Sequence, residues 1–281
     1  MASRRLIVNA DDFGFTAGVN EGIVEAHRRG ILTAASLMAN GPAFDHAVEL
    51  ARRFPAFDIG CHLVLVQGKA VSSPGTDLPR TVRHLLWGLL DTSSTKWIER
   101  ELEAQIEKIL QAGIVPSHLD THKHTHLAPP VLQALCRVSR QFSIPWVRRP
   151  FDLPLNASVP LPARLLHGAL RVLRSRFDRT LERYNCRTTD HFAGFQWTGA
   201  FRAAQLASLV RALPPGLTEF VCHPGYCTAE LRHAPTRLKE SRAEELEALI
   251  SGEVKQALEE SGVELTTYRE TEGSAKTAPA G

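Results

Sequence analysis

Short apolar runs alternate with longer amphipathic stretches along nearly the whole chain. Strands are predicted at 6–10, 32–38, 57–62, 117–121, 145–148, 219–222 and 263–268, each a short apolar run bounded by polar or turn-forming residues. The intervening segments read as helices. Segment 20–27 sets Ile23, Val24 and Ala26 among charged neighbours, and 97–110 carries Ile98, Leu102, Ile106 and Ile109 on one stripe. Pro129-Pro130 opens another helix, where proline in the first turn costs little, and 241–258 reads as the last. Such βαβα alternation predicts an α/β fold, and about seven mainly parallel strands in one chain favour a distorted (β/α) barrel over an open doubly wound sheet.

Two intervals break the rhythm, near 67–94 and 150–190, and are expected to be insertions over the barrel rim. Residues 1–269 are expected to form a single catalytic domain. The tail 270–281, rich in Ser, Thr, Ala, Pro and Gly, is predicted to be disordered. No internal repeat is present.

Composition adds limits. With 281 residues, 43% hydrophobic and 22% charged, the chain has the make-up of an ordinary globular protein. Thirty-three Lys and Arg against 30 Asp and Glu leave a net charge of +3, too small a bias to argue for nucleic acid, and none is expected as a partner. Five cysteines without a CxxC argue against a disulfide framework or a zinc ribbon and fit a reducing cytoplasm. The first residues run into an apolar strand without the stretch of a signal peptide, and no later run is long enough to span a bilayer. A cytoplasmic location is expected, with peripheral contact at the inner membrane face left open. The oligomeric state is not legible.

The chemistry-bearing residues sit at strand ends. Asn9-Ala10-Asp11-Asp12-Phe13-Gly14 places two carboxylates after an apolar strand. Neighbours on an extended chain point in opposite directions, so the two would do different jobs, one ligating a metal and the other taking a proton. An Asx-turn capping the next helix is the plain alternative. The run 117–126 holds four of the chain's 12 histidines, with His and Asp at every second position and so on one face while the chain stays extended. Neutral imidazole is the commonest metal ligand, whereas a coincidentally His-rich polar loop is the plain reading. His62 and His223 each follow another predicted strand, and either alone would read as an ordinary hydrogen-bonded histidine. In a barrel, Asp11, Asp12, His62, His122 and His223 would converge on one mouth.

With these motifs in hand, the chain resembles the YdjC-like (ChbG/HpnK) carbohydrate deacetylases, relatives of the polysaccharide deacetylases with a distorted β/α barrel. The resemblance spans roughly residues 5–268 and rests on the Asn9–Gly14 opening, Gly60-Cys61-His62-Leu63, His118-Leu119-Asp120-Thr121-His122 and Cys222-His223-Pro224-Gly225. The stretches 20–27, 36–44 and 62–68 are most similar to the hopanoid-biosynthesis branch, HpnK. That branch implies an N-acetylglucosaminyl hopanoid as substrate, deacetylated to the free amine. The family pattern implies one divalent ion, Mg or Zn, on Asp12, His62 and His122, with Asp11 as general base and His223 as general acid. Lys123 stands where relatives often have Gln or His.

Around this set, Asp120 is expected to orient a ligand histidine or to form a structural salt bridge. His124 and His126 are expected either to contact substrate or to support their loop. Arg148 and Arg149 are expected to bind substrate hydroxyls or fix a carboxylate such as Asp11, or else to be solvated on the rim. Segment 161–184 interleaves Arg164, Arg171, Arg174, Arg176, Arg179 and Arg183 with leucines, an amphipathic basic helix that reads as a surface helix or a membrane-docking one. An N-acetylated sugar or glycolipid is the expected partner. Deacetylation of chitooligosaccharides and a metal-dependent phosphoesterase are the rival activities; a barrel that binds a sugar or metal without turnover is the non-enzymatic one.

Overall fold

A computed structural model describes residues 3–90, 94–154, 165 and 168–275. Eight strands form one parallel sheet: β1 (Arg4–Phe13), β2 (Ala34–Leu37), β3 (Asp58–Leu63), β4 (His118–Thr121), β5 (Trp146–Val147), β6 (His191–Ala193), β7 (Gly216–Cys222) and β8 (Val263–Leu265). Their spatial order is β5-β4-β3-β2-β1-β7-β6. Along one edge, β1 pairs first with β8 at Arg4–Leu6 and then with β2 from Asn9 onward. Isolated bridges Trp146↔Arg187 and Asp152↔Phe192 tie the two ends of that order together. The sheet therefore curls into a distorted (β/α) barrel.

Alternation along β1 builds two cores. Leu6, Val8 and Ala10 join the large cluster under the outer helices, while Ile7 joins Ala34, Trp146, Leu217 and Tyr268 inside the barrel. Above that apolar floor the inward positions turn polar: Asn9, Ser36, His118, Asp120, Arg148 and Glu219 are all buried. Gly60 is the small residue this layer requires, because a Cβ there would lie 2.4 Å from the His118 ring.

The outer helices follow from caps and spacing. Thr16 accepts from Val19 N–H to start helix Ala17–Arg29, which buries Val19, Ile23 and Ala26 at helical intervals. Gly22 lets that helix press on the loop beyond β7, since a Cβ there would lie 2.5 Å from Gly225 Cα. Helices Ser94–Gln111 and Pro129–Gln141 lie where the stripe and the Pro-Pro pair predict them.

Four expectations need correction. A three-residue strand, β6, was not predicted, being too short to show a period. The expected helix 241–258 is two, Glu240–Ile250 and Gly252–Ser261, because Ser251 leaves the helix and its side chain caps the second from Val254 N–H. The expected strand 263–268 ends at Leu265, and helix Tyr268–Ala275 carries the chain into the segment predicted to be disordered. Asp58 holds the start of that helix, accepting from Tyr268 N–H at 2.9 Å, and the Tyr268 ring stacks on His118. Residues 276–281 lie outside the described residues. So do 155–164 and 166–167, and with them part of the predicted basic helix; its described part includes the helix Arg174–Arg183.

Candidate active site

The acidic pair lies inside β1 rather than after it. Register with β2 slips between Ala10 and Phe13, and Asp12 takes a left-handed φ of 67°. This bulge undoes the alternation expected of an extended chain, so both carboxylates line one cavity. The cavity, of ≈ 650 Å³, opens at the carboxyl ends of the strands and is also lined by His62, His122, His124 and His223. Apolar walls come from Phe15, Met38, Val64, Val66, Phe195 and Leu238.

Asp12, His62 and His122 each aim one donor atom at the others, all within 4.8 Å. Asp12 Oδ1 lies 3.4 Å from His62 Nε2 and 3.1 Å from His122 Nδ1, and the two ring nitrogens are 3.2 Å apart. Oδ1 is buried and accepts no hydrogen bond of good geometry. One carboxylate oxygen and two imidazoles could hold a divalent cation, and this donor set suits Zn²⁺ better than the oxygen-preferring Mg²⁺.

A network of partners holds these side chains. His62 Nδ1 donates to Asp120 Oδ1 at 2.6 Å, which leaves Nε2 facing the cluster. Asp120 Oδ2 accepts from Ser36 Oγ at 2.6 Å and pairs with Arg148 at 2.7 Å. Arg148 grips both oxygens of Asp11 at 2.8 Å and reaches Glu219 at 2.6 Å. One guanidinium thus answers three buried carboxylates. Burial alone would lower the His62 pKa, but Asp11 and Asp120 outweigh it and hold it at about 10 in the metal-free protein. Burial would raise Asp12, yet Arg242, His122 and His62 pull it well below the usual carboxylate range. Burial pushes Glu219 up to about 7 against the pull of Arg148.

His223, at the end of β7, places Nε2 3.9 Å from Asp11 Oδ2. Its backbone N–H donates to Glu245 at 2.5 Å, and burial lowers its pKa to about 4 although Asp11 pulls it up.

The remaining expected residues divide. His124 lines the cavity with its ring against Phe195. His126 does not reach the cavity; it bonds Thr121 Oγ1 at 2.6 Å and the Arg148 carbonyl at 3.2 Å. The alternation expected across 117–126 holds for His118 and Asp120 and ends after Thr121, where a 3₁₀ turn with left-handed Lys123 and His124 begins. Arg149, on the opposite face from Arg148, turns away to the Thr189 and Asp190 carbonyls and so contacts neither substrate space nor Asp11. Arg242, Glu219 and Glu245 join the site without any signal in the sequence. Glu219 is a single charge in a predicted strand, Arg242 and Glu245 are two among many charges in a predicted helix, and only the register of distant elements reveals their partners.

Residues 5–260 match the profile described as YdjC-like protein. The chain belongs to the YdjC-like family. This YdjC-like protein is 31% identical over 274 residues to a carbohydrate deacetylase of Brevibacillus brevis, covering 95% of this chain and 99% of the relative. It is 35% identical over 263 residues to a chitooligosaccharide deacetylase of Salmonella typhimurium, covering 92% and 96%. Among solved structures, an Enterococcus faecalis protein provisionally named for cellobiose-phosphate cleavage is similar at TM-score 0.73 and 27% identity, covering 96% of this chain and 99% of that one.

Proposed function

We propose that this chain hydrolyses the N-acetyl group of an N-acetylated amino sugar with the help of one divalent ion, Mg or Zn. The observation that carries the reading is the buried Asp12 Oδ1, facing two histidine nitrogens beside Asp11 and His223 in a sugar-sized cavity. Membership of a family with deacetylase relatives supports the same activity.

Asp12, His62 and His122 would hold the cation, which supplies Lewis acidity to the acetamide carbonyl and to water. Asp11 takes the proton as water adds to the carbonyl carbon. Arg148 keeps that carboxylate oriented through two hydrogen bonds. His223 is neutral at rest, and Asp11 Oδ2, 3.9 Å from its Nε2, offers it a proton to pass to the leaving nitrogen. A C–O bond forms, the C–N bond breaks, and acetate and a free amine result.

The finer reading is an N-acetylglucosaminyl hopanoid, met by a cytoplasmic enzyme at the inner membrane face through the basic segment 161–184. The apolar walls of the cavity support a lipid-bearing sugar. Phe15 and Phe195 suit a chitooligosaccharide equally well. A two-metal phosphoesterase is less favoured, because the other donor cluster, Asp11, His62 and Asp120, shares its histidine with the first and Arg148 already engages both carboxylates.

Mass spectrometry after incubation with N-acetylglucosaminyl hopanoid and with chitin disaccharide tests both levels. Loss of one acetyl mass, abolished by chelator and restored by Zn²⁺ or Mg²⁺, is expected. Phosphate release from model esters without any acetate release would refute the reading.

A further inference from the structure

Among the described residues, no helix is long and apolar enough to cross a membrane. Helix Val82–Gly88 and the turn that follows it, in the insertion after β3, nevertheless present an exposed apolar face. Leu85 anchors it in the protein, while Leu86, Trp87 and Leu90 face solvent, Trp87 70% and Leu90 87% exposed. Leaving an indole and two leucines in water forgoes the free energy of burying them, and apolar clusters rimmed by charge mark interaction surfaces.

The patch belongs to the cavity-bearing end of the barrel. Pro79, just before the helix, accepts through its carbonyl from Gln67 N–H at 2.9 Å, and Gln67 lines the cavity. Arg80 and Arg83 beside it are exposed; the run 78–90 holds no Asp or Glu, Asp77 before it is paired with Lys69 at 2.6 Å, and Asp91 follows it in sequence. The segment leaving the barrel after β5 also exposes apolar side chains near arginines, Leu165 66% and Val172 82% exposed in a stretch that carries exposed Arg176, Arg179 and Arg183 together with Asp178 and Glu182.

We propose that this end of the protein docks on an anionic lipid bilayer, Trp87 and Leu90 entering the headgroup layer and Arg80 and Arg83 meeting lipid phosphates. Tryptophan with flanking arginine suits the interface, where an apolar body and a charge are satisfied together. A second copy of the chain is the poorer occupant, since a two-fold contact would bring Arg80 and Arg83 against their own counterparts while Asp77, the exposed acid that feels Arg80, is already paired with Lys69. Docking deepens the glycolipid reading above. It is measured without turnover, so either can fail alone.

The test uses the full chain with phosphatidylcholine vesicles, with and without phosphatidylglycerol, read by co-sedimentation and tryptophan emission. Binding confined to anionic vesicles, weakened by salt and accompanied by a blue shift, is expected. Trp87→Ser and Leu90→Ser should each lower the partition coefficient roughly tenfold, Trp87→Ser should remove the blue shift, and neither should change the rate on soluble chitin disaccharide. Two results overturn docking: no sedimentation with anionic vesicles at low salt, or partition untouched by both substitutions. A dimer abolished by Trp87→Ser in a protein that ignores vesicles would assign the surface to a second copy instead.

Discussion

Asp12 Oδ2 lies 2.5 Å from Arg242 Nη2, an ion pair between two buried side chains 230 positions apart in sequence. The guanidinium takes one carboxylate oxygen and leaves the other facing His62 and His122. Removing one member of a buried pair leaves an uncompensated charge, which costs about 3–5 kcal/mol. Arg242→Met is therefore expected to destabilise the metal-free protein by about that much in urea unfolding, and a saturating divalent cation should recover part of the loss by again placing positive charge against Asp12. A difference below about 1 kcal/mol would mean that Asp12 does not depend on this partner.

Asp11 carries the opposite expectation. Its carboxylate belongs to the Arg148 network rather than to the Asp12 cluster, so Asp11→Asn should spare cation binding while slowing deacetylation by roughly 10²–10⁴, the usual worth of a general base. Calorimetric titration of the cation and the rate of amine appearance separate the two effects. Wild-type turnover in this variant would remove Asp11 from the role of base.

The contrast between Asp11 and Asp12 also marks how far the sequence could be read. Apolar runs ending in Asp, His and Cys-His announced strands that deliver chemistry to one rim, and the barrel brings together the four motifs that carried the family resemblance. The left-handed turn at Asp12 was not visible, because nothing in Asp-Asp-Phe-Gly says which residue leaves the extended region. Arg242 and Glu219 were equally hidden. A charge 71 or 230 positions from its partner acquires it only through strand register and helix packing, which a hydrophobic pattern leaves open. Strand β6 escaped for a simpler reason, three residues being too few to show a period of two.

His126 was grouped with the site residues, yet its bonds to Thr121 and the Arg148 carbonyl make it a buried neutral strut. Burial lowers its pKa from 6.5 to about 3, with Arg148 pushing in the same direction. A histidine whose folded pKa is depressed contributes stability that is complete above its unfolded pKa and is lost as pH falls toward the folded value. Between about pH 6 and pH 4 the wild type is expected to lose about 1.4 kcal/mol per pH unit more than His126→Gln, which cannot take up that proton on unfolding. Urea titrations of both proteins across this range make the comparison, and parallel acid limbs would contradict the assignment. His118 and His223 are depressed as well, but both proteins share them, so the difference isolates His126.

Gly60 offers a separate test of the polar layer beneath the site. A Cβ at this position would lie 2.4–2.5 Å from three atoms of the His118 ring. That ring has little room to retreat: it stacks on Tyr268 with centroids 4.0 Å apart and is hydrogen-bonded to Ser36 at 3.1 Å and Ser117 at 2.8 Å. Gly60→Ala should therefore cost about 1–3 kcal/mol, the ordinary penalty for overpacking a tight core. His118→Ala alone should also destabilise, by opening a cavity and taking one hydrogen-bond partner each from Ser36 and Ser117. Combined with Gly60→Ala, however, its cost should be smaller, because the added methyl group then occupies space the ring has vacated. The double-mutant cycle reads this coupling directly, and strictly additive losses would show that the close approach of Gly60 to His118 is not what makes glycine necessary there.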